Sequence, residues 1–393
     1  MILKDLKKKK VPKVKKNLLT LDIKDVKKQL LKKKNKNTDV EVSNNKKRSV
    51  VAFDIGSSTI KIAQGVYHKN KLTVNKLIKI RTPSNSVEEG EILLRDSLST
   101  VIGDALDKFY IKAKDGICTT NPTTIISREI DIPKVDEDEI ETVVRYEIQQ
   151  YLPINLDDCI LQTTILNEFE DKFEEKTKLN VRVIAYPKKI ALEYYKLLED
   201  LKLRPYVLDV NFNALNKLGN LTGIMDSENN KSIAVLDIGL NFIDVNIYNN
   251  GSLDFTRRIK GGAHEIDNIL IEDGAYKKEE IVSIKINKLD LNADFNEMNF
   301  ETRLVLDTIN GWIEKIEMIF RFYKNKSIEN DIEKVILIGG SSKINGISKY
   351  MSENFHIEVT SINNLSNISF RKAEYNGPNL GDFANAIGSI IRL

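Results

Sequence analysis

The stretch that decides the fold is Val50-Val51-Ala52-Phe53-Asp54-Ile55-Gly56-Ser57-Ser58-Thr59-Ile60-Lys61-Ile62-Ala63. An apolar strand runs into an Asp-Ile-Gly turn with three hydroxyl residues, and the chain leaves as an alternating second strand. The glycine lets the backbone approach a phosphate, to which the hydroxyls and exposed N–H groups can donate. The aspartate at the strand end suits a hydrated Mg²⁺ ion. A single copy of this pattern is also typical of an ordinary β-hairpin.

The same pattern returns in the second half of the sequence. Residues 232–236 are an apolar run that leads into Asp237-Ile238-Gly239-Leu240-Asn241, and residues 242–248 lead out as a strand. A third strand, 334–338, ends in Gly339-Gly340-Ser341-Ser342. Two Asp-Ile-Gly hairpins followed by a Gly-Gly strand end predict a duplicated nucleotide clamp. Each half supplies one phosphate loop, and the third loop lies against the nucleoside.

These turns contain the candidate ligand residues. We expect Asp54 and Asp237 to flank Mg²⁺ and the phosphates from opposite halves of the molecule. The predicted nucleotide-binding residues are Asp54, Gly56, Ser57, Ser58, Thr59, Lys61, Asp237, Gly239, Asn241, Gly339, Gly340, Ser341 and Gly346. The alternative for each of them is a residue that only shapes its turn.

Charge separates a basic head from an acidic body. The 393 residues carry 60 Lys and Arg against 57 Asp and Glu, a formal net charge of +3. Residues 1–50 contain 18 basic and 5 acidic residues, a net of +13, which leaves −10 on the rest. Residues 1–49 are rich in lysine and contain no glycine, and we predict that they are mostly disordered.

The composition also argues against several classes of protein. No apolar run approaches the length of a membrane span, and the N-terminus lacks the apolar core of a secretory signal. The cysteines, Cys118 and Cys159, have no metal or redox spacing, and the 3 histidines are scattered. We therefore expect a cytoplasmic protein with neither disulfides nor a His-Cys metal site.

The order of predicted elements indicates a bilobed α/β protein with two insertions. The first domain comprises residues 50–121 and 202–225, interrupted by a small α+β subdomain at 122–201, in which 136–151 is predicted to be a helix. The second comprises 226–261 and 331–393, with a predicted helix at 343–354. A mainly helical insertion at 262–330 interrupts it. The 393-residue chain is long enough for such a division.

Two further segments give the chain a family resemblance. Residues 144–154, Val-Arg-Tyr-Glu-Ile-Gln-Gln-Tyr-Leu-Pro-Ile, resemble the signature helix of the PilM family, which ends in Glu-x-x-Gln-Tyr-x-Pro. Residues 386–392 resemble that family's Ala-Ile-Gly-Leu-Ala-x-Arg terminus. PilM proteins serve type IV pilus assembly, belong to the actin, hexokinase and Hsp70 ATPase superfamily, and are related to FtsA. The resemblance covers roughly residues 50–393 and implies an actin-like fold, a duplicated ribonuclease H-like unit.

The resemblance also implies ligands and partners. ATP with Mg²⁺ is expected in the interdomain cleft. The cytoplasmic N-terminus of a PilN-like inner-membrane protein is expected beside the inserted subdomain, where aromatic and amide side chains suit an extended peptide. The candidate partner residues are Tyr146, Gln150, Tyr151 and Pro153. An ordinary helix packed on its own sheet is the alternative. The family thereby joins the membrane platform to the pilus motor machinery, at the inner face of the membrane.

The sequence departs from the family in ways that bear on hydrolysis. The second phosphate loop has no hydroxyl after Gly239, and Asn241 offers an amide instead. The adenine-side Glu and Lys have only loose counterparts in Glu280 and Lys285. The superfamily places the water-orienting group near the return to the first domain, so Asp209 or Asn211 is the catalytic candidate. We expect nucleotide binding with weak or absent ATPase activity.

The basic head admits four interpretations. It is a solvated tail, or an anchor to an anionic membrane surface, since Leu19, Ile23, Val26 and Leu30 share one helical face among lysines. Asn17-Leu18-Leu19 also resembles the core of the PilN docking peptide, so the head could occupy the chain's own groove. Nucleic-acid binding fits the charge, but the sequence has no recognition module, and we expect no specific nucleic-acid partner.

Two alternative functions remain open at this stage. One is an FtsA-like, filament-forming cell-division protein, for which we would expect a linker and a membrane helix after the last predicted helix. The other is a small-molecule kinase of the same superfamily. That kinase needs a catalytic carboxylate and a polar substrate pocket, and the sequence identifies neither.

Overall fold

The computed structural model describes residues 21–22, 47–151, 155–171, 176–227, 231–327, 330–371 and 379–392. Most of the basic head and the candidate partner residue Pro153 lie outside the described residues, and only the backbone of Tyr151 is described. Within these ranges no helix is long and apolar enough to cross a membrane.

The first half is built on one large sheet. Its elements up to the insertion are β1 (Leu21–Asp22), β2 (Arg48–Ile55), β3 (Thr59–His68), β4 (Lys71–Arg81), β5 (Val87–Glu88), β6 (Glu91–Ile92), α1 (Arg95–Lys108) and β7 (Asp115–Thr120). β2 pairs antiparallel with β3 and parallel with β7. The last six residues of β2 are all buried, as a strand covered on both faces requires.

The inserted subdomain is a three-stranded antiparallel sheet with one helix on it. It contains β8 (Ile126–Pro133), α2 (Ile140–Tyr151), β9 (Cys159–Asp171) and β10 (Lys176–Pro187), with strand order β8-β10-β9. α2 buries Val144 and Ile148 against this sheet, in a core cluster of its own. The chain then returns to the first domain through α3 (Lys188–Asp200), β11 (Arg204–Val210) and α4 (Asn211–Thr222).

The second half repeats the arrangement of the first. Its elements are β12 (Ser232–Ile238), β13 (Phe242–Asn249), β14 (Ser252–Lys260), α5 (Ala263–Glu272), α6 (Ile281–Asn287), α7 (Phe300–Lys326), β15 (Ile332–Ile338), α8 (Ile347–Phe355), β16 (Glu358–Ser361), β17 (Ile368–Phe370) and α9 (Ala384–Ile390). β12 pairs antiparallel with β13 and parallel with β15, as β2 does with β3 and β7. This equivalence confirms the predicted duplicated, bilobed α/β fold.

The last helix joins the two halves. Every residue of α9 is buried, and the helix packs against α4 as well as β2 and β3. Gly388 lies directly on the backbone of Ala214, so close that an added Cβ would overlap the Ala214 carbonyl group. Small residues on this face are therefore what allow α9, which follows the second half in sequence, to pack closely on the first domain.

The structure departs from the predicted boundaries at four places. The helix predicted at 136–151 begins at Ile140, because residues 137–139 form a turn. The helix predicted at 343–354 is split into a 3₁₀ turn, Gly340–Lys343, and α8, since Gly346 has φ +80° between them. β17 joins the first sheet beside β4, although residues 331–393 were assigned to the second domain. Leu21 and Asp22, within the predicted disordered head, pair with β11.

A buried ion pair stabilises the first domain beneath α9. Lys217 of α4 and Asp209 of β11 both have fully buried side chains, with Nζ and Oδ2 2.5 Å apart. Asp209 also accepts hydrogen bonds from the Asn213 side chain and from the backbone N–H of Val210. Burial lowers the pKa of Lys217 to about 8, against the opposing effect of Asp209. Neither charge has access to water if its partner is removed.

Removing Lys217 alone should therefore destabilise the fold far more than removing the whole ion pair. We expect Lys217→Met to lower the free energy of unfolding by about 3–5 kcal/mol, because Asp209 becomes an uncompensated buried charge. The double variant Asp209→Asn/Lys217→Met should recover most of that loss. The measurement is urea denaturation followed by circular dichroism.

The matched control is the exposed pair Lys349–Glu353 on α8, whose side chains are 62% and 63% exposed. Lys349→Met should change the free energy of unfolding by less than about 0.5 kcal/mol. A double variant of the buried pair as unstable as Lys217→Met would show that the loss comes from packing rather than from an unpaired charge.

Candidate functional site

A cleft lies between the two domains where the Asp-Ile-Gly turns face each other. It encloses about 690 Å³, counting the part open to solvent. The first half contributes Asp54, Ile55, Gly56, Ser57, Lys61, Glu89, Gly90, Thr120, Asn121 and Asn211. The second half contributes Asp237, Gly239, Leu240, Asn241, Phe242, Asp244, Arg258 and Asn385.

The first turn presents its backbone and one hydroxyl to the cleft. The N–H of Gly56 donates to the Thr59 carbonyl at 3.1 Å, and the Thr82 hydroxyl donates to the Gly56 carbonyl at 2.6 Å. Ser57 lines the cleft, whereas Ser58 and Thr59 do not. The structure thus brings Asp54, Gly56, Ser57 and Lys61 together, and leaves two of the predicted hydroxyl ligands outside.

The second turn is braced by a glycine pair that the sequence reasoning overlooked. The N–H of Gly239 donates to the Phe242 carbonyl at 3.0 Å, and the N–H of Ala263 donates to the Gly239 carbonyl at 3.0 Å. Gly262 has φ +144°, and an added Cβ would lie 2.6 Å from the Gly239 oxygen. Gly261-Gly262 directly after a strand is the signal that could have identified this second support.

The third loop lies behind the second turn rather than in the cleft. Gly339 has φ +88°, and an added Cβ would lie 2.5 Å from Asp237 Oδ1, so only glycine lets this strand end approach the carboxylate. Gly340, Ser341 and Gly346 are absent from the cleft lining. Among the described residues, the buried Ser341 hydroxyl has no hydrogen-bond partner.

Equivalent charged positions cross the two sheets in register. In the first sheet, Asp54 is opposite Lys61, and Lys61 is opposite Lys79. In the second sheet, Asp237 is opposite Asp244, which is opposite Arg258. The two rows differ at the middle strand, where the first half has a lysine and the second half has an aspartate.

Lys61 supplies a positive charge that acts on both turn carboxylates. Its Nζ lies 3.6 Å from Asp54 Oδ2, and its side chain is only 16% exposed. Burial alone would lower the pKa of Lys61, but Asp54, Asp237 and Asp382 together raise it above its ordinary value. Lys61 is therefore a charged group fixed between the domains.

Asp237 is the most perturbed carboxylate of the cleft. Burial raises its pKa to about 6, with further contributions from the negative charges of Asp244 and Asp54. Lys61 and a 3.1 Å hydrogen bond from the Asn385 side chain act in the opposite direction. An added cation would relieve this excess of negative charge.

Arg258, which the sequence reasoning also overlooked, connects the domains across the cleft. Its guanidinium binds Asp244 through two hydrogen bonds of 2.6 and 2.7 Å and lies 5.2 Å from the ring centre of Phe242. Its Nη1 donates to the Asn121 carbonyl at 2.7 Å, and the Asn121 amide donates to Asp244 at 3.0 Å. Asn121 belongs to the first domain.

The two water-orienting candidates have different surroundings. Asn211, the first residue of α4, lines the cleft, and its Oδ1 accepts a 2.9 Å hydrogen bond from the Thr119 hydroxyl. Asp209 is 1% exposed, does not line the cleft and is paired with Lys217. The structure therefore places the Asp209 carboxylate away from the cleft and against a buried lysine, and Asn211 is the candidate of the two that faces the cleft.

The predicted adenine-side pair has other partners in the structure. Lys285 forms an ion pair with Asp267, and the Glu280 carboxylate accepts a hydrogen bond from the N–H of Lys277. Neither residue lines the cleft.

Tyr146 and Gln150, two of the four predicted partner residues, lie on the outer face of the inserted subdomain. Tyr146 is 66% exposed, and Gln150 is exposed one turn later on α2. Val144 and Ile148, on the opposite face, are buried. The outer face of this helix is therefore open to solvent.

No three His, Cys, Asp or Glu side chains in the described ranges are grouped closely enough to hold a metal ion directly. Asp54 and Asp237 could hold Mg²⁺ only together with water or phosphate oxygens, which is the way Mg²⁺ is usually bound.

Comparison with known proteins places this fold and cleft in a family. Residues 52–386 match the family described as type IV pilus assembly protein PilM. The structure is similar to one titled PilM-PilN type IV pilus biogenesis complex, with a TM-score of 0.74 and 18% identity, over 88% of this chain and 98% of that one.

A second similar structure is the ethanolamine utilization protein EutJ from Carboxydothermus hydrogenoformans. It has a TM-score of 0.51 and 12% identity over 94% of this chain and 96% of that one. At these identities both structures show a shared fold. A comparison with curated protein sequences gives no match.

The structural neighbours confirm the predicted actin-like architecture. The family match extends over most of the chain, from one side of the first Asp-Ile-Gly turn to the last helix. The protein therefore belongs to the type IV pilus assembly protein PilM family.

Proposed function

We propose that this actin-like protein of type IV pilus assembly is a nucleotide-binding scaffold. Its cleft takes ATP with Mg²⁺, and its inserted subdomain takes the cytoplasmic N-terminus of a PilN-like membrane protein. The observation that carries the nucleotide part is the pair of Asp-Ile-Gly turns that face each other across a cleft, with Lys61 between their carboxylates.

The residues of the cleft fit a magnesium-bound polyphosphate. The N–H groups of the first turn, the Ser57 hydroxyl and the Lys61 ammonium are donors for phosphate oxygens. Asp54 and Asp237 are acceptors for the water molecules of a hydrated Mg²⁺ ion. The raised pKa of Asp237 supports this assignment, because a carboxylate crowded by negative charge gains from a nearby cation. Mg²⁺ would neutralise phosphate charge when bound.

The same residues favour holding the nucleotide over hydrolysing it. Asn211 can orient a water molecule through its amide, but a neutral amide does not accept the proton of the attacking water. Asp244 has a carboxylate at the cleft, but both of its oxygens are bound by Arg258. The second turn also lacks a hydroxyl donor.

The partner assignment follows from the similar structure and from the exposed face of α2. The similar structure is a PilM-PilN complex, and α2 presents Tyr146 and Gln150 to solvent. Binding a PilN-like protein would place the chain at the cytoplasmic face of the inner membrane, beside the pilus motor machinery. The net charge of +13 on residues 1–50 supports an additional attraction to anionic lipid.

The first test compares two neighbouring hydroxyls of the first turn. Ser57→Ala should weaken ATP·Mg²⁺ binding about three- to tenfold, because a hydrogen bond to a phosphate is lost. Ser58→Ala is the matched control, since Ser58 does not line the cleft, and its affinity should stay within about twofold of the unchanged protein. The measurement is isothermal titration calorimetry. Equal effects of the two substitutions would contradict the proposed phosphate loop.

The second test measures the effect of Asp237 on ATP·Mg²⁺ binding and on the free energy of unfolding. Asp237→Asn should weaken ATP·Mg²⁺ binding by at least about tenfold, because a neutral amide replaces a carboxylate near the cation. Near pH 7.5 it should also raise the free energy of unfolding by about 1–2 kcal/mol, because the crowded charge is removed. The exposed Asp294 serves as the control, and Asp294→Asn should change neither quantity.

The pH dependence of that gain follows from the raised pKa of Asp237. The folded state holds this proton more tightly than the unfolded chain, so the carboxylate costs no stability well below its ordinary pKa of 3.8. The cost grows as the pH rises from there toward about 6 and is constant above it. The gain from Asp237→Asn should therefore be absent at about pH 3 and complete above about pH 7. A gain independent of pH would exclude this explanation.

The third test addresses the partner surface. Tyr146→Ala should weaken binding of a synthetic PilN-like N-terminal peptide at least about tenfold, as expected for an aromatic anchor. Tyr110→Ala is the control, because Tyr110 is 77% exposed and lies in the first domain. Fluorescence anisotropy of a labelled peptide provides the affinity. Equal losses in the two variants would place the peptide elsewhere.

A further inference from the structure

Arg182 ties the inserted subdomain to the second domain. It lies on β10, the central strand of the inserted sheet, and is 5% exposed. Its Nη2 donates to the Glu129 carboxylate on the neighbouring β8 and to the backbone carbonyl of Leu253 on β14. Separating this buried guanidinium from its carboxylate and carbonyl acceptors is costly, because little water can enter to replace the lost hydrogen bonds.

Arg258 ties the same strand to the start of the insertion. It is five residues beyond Leu253 on β14, and its Nη1 donates to the Asn121 carbonyl at 2.7 Å. Asn121 follows β7 and immediately precedes the segment that leads into β8. The two arginine–carbonyl bonds therefore attach β14 to the body of the inserted subdomain and to the point where that subdomain leaves the first domain.

β14 separates these two attachments by a fixed distance. Leu253 and Arg258 are both paired with β13, opposite Tyr248 and Asp244. Five residues of extended strand span about 16 Å, so the bonds are well separated. One bond alone would allow β14 to turn about it against the inserted subdomain, whereas two separated bonds resist that rotation.

The attachments differ in their access to a ligand. Arg258 lines the cleft, and its side chain is 21% exposed, whereas Arg182 does not line it and is buried. Phosphate oxygens are stronger acceptors for a guanidinium than a neutral carbonyl. A phosphate that enters the cleft can thus take Nη1 of Arg258 from Asn121, and it cannot reach Arg182.

We propose that Arg182 and Arg258 form a two-point clamp that holds β14 of the second domain on the inserted subdomain and on the adjoining end of the first domain, and that a phosphate ligand in the cleft releases the Arg258 end alone. The second domain then turns about the Arg182–Leu253 bond relative to the inserted subdomain. This release step rests on the proposed nucleotide function, while the clamp itself is a property of the protein without ligand. Its role is to couple the orientation of the partner-binding subdomain to occupancy of the cleft.

The test measures the distance between the two bodies. Spin labels are attached at Thr142→Cys on α2 and Glu314→Cys on α7, which replace exposed residues, while the native Cys118 and Cys159 are buried. Double electron–electron resonance gives the distribution of distances in the full chain. Without ligand, Arg182→Lys and Arg258→Lys should each broaden or shift it by more than about 2 Å, since a lysine ammonium does not present donors at the positions of the guanidinium nitrogens.

ATP·Mg²⁺ distinguishes the two ends of the clamp. It should change the distribution of the otherwise unchanged protein in the direction of the Arg258→Lys variant and have no further effect on that variant. Lys134→Met is the matched control, because Lys134 pairs with Glu168 inside the inserted subdomain and both side chains are about half exposed. This variant should keep the original distribution, with and without nucleotide.

Each outcome decides one claim. If Arg182→Lys retains the original distribution while remaining folded by circular dichroism, the clamp is wrong. If both arginine variants broaden it but ATP·Mg²⁺ does not bind, the clamp stands and the proposed nucleotide function fails. If ATP·Mg²⁺ binds and leaves the distribution unchanged, release at Arg258 is refuted.

Discussion

The structure depends on the placement of one lysine between carboxylates that come from both domains. The Nζ of Lys61 lies 3.6 Å from Asp54, and its pKa is raised by Asp54 together with Asp237 and Asp382. Without this charge the two strand-end carboxylates would face each other across a narrow cleft with no cation between them. The duplicated sheets bring the carboxylates together, and Lys61 makes their proximity tolerable.

The same electrostatic balance extends to the 3₁₀ turn Leu380–Phe383, which precedes α9. Asp382, in the 3₁₀ turn before α9, accepts hydrogen bonds from Lys79 of the first sheet and from Lys343 beside the second. The Asp382 carboxylate is 2% exposed, and its other oxygen has no hydrogen-bond partner among the described residues. The cleft and this turn therefore share one set of charges, comprising Asp54, Asp237, Asp382, Lys61, Lys79 and Lys343. A polyphosphate that drew Lys61 toward itself would alter the charge balance at the turn as well.

Local patterns predicted most of the fold, because strands and turns are encoded over short distances. The Asp-Ile-Gly turns, their flanking strands and the long helix α7 all have periodicities that can be seen in sequence. The surroundings of Asp209 could not be predicted from such local patterns. Like Asp54 it occurs near the end of an apolar strand, but Lys217, eight residues further on, is buried against it. Only the packing of α4 reveals that its charge is already neutralised. Arg258 presents the same difficulty, since its partner Asn121 is 137 positions distant.

In the proposed function, the difference between the two halves explains why the cleft holds a nucleotide rather than hydrolysing it. At the middle strand the first half has Lys61 and the second half has Asp244, which requires Arg258 for neutralisation. In the proposed function, the cations available to a phosphate are thus already bound to carboxylates or to backbone of both domains. Binding energy is then used to rearrange contacts between domains. An enzyme that turns over rapidly needs groups prepared for the transition state, whereas here the charged groups are prepared to change partners.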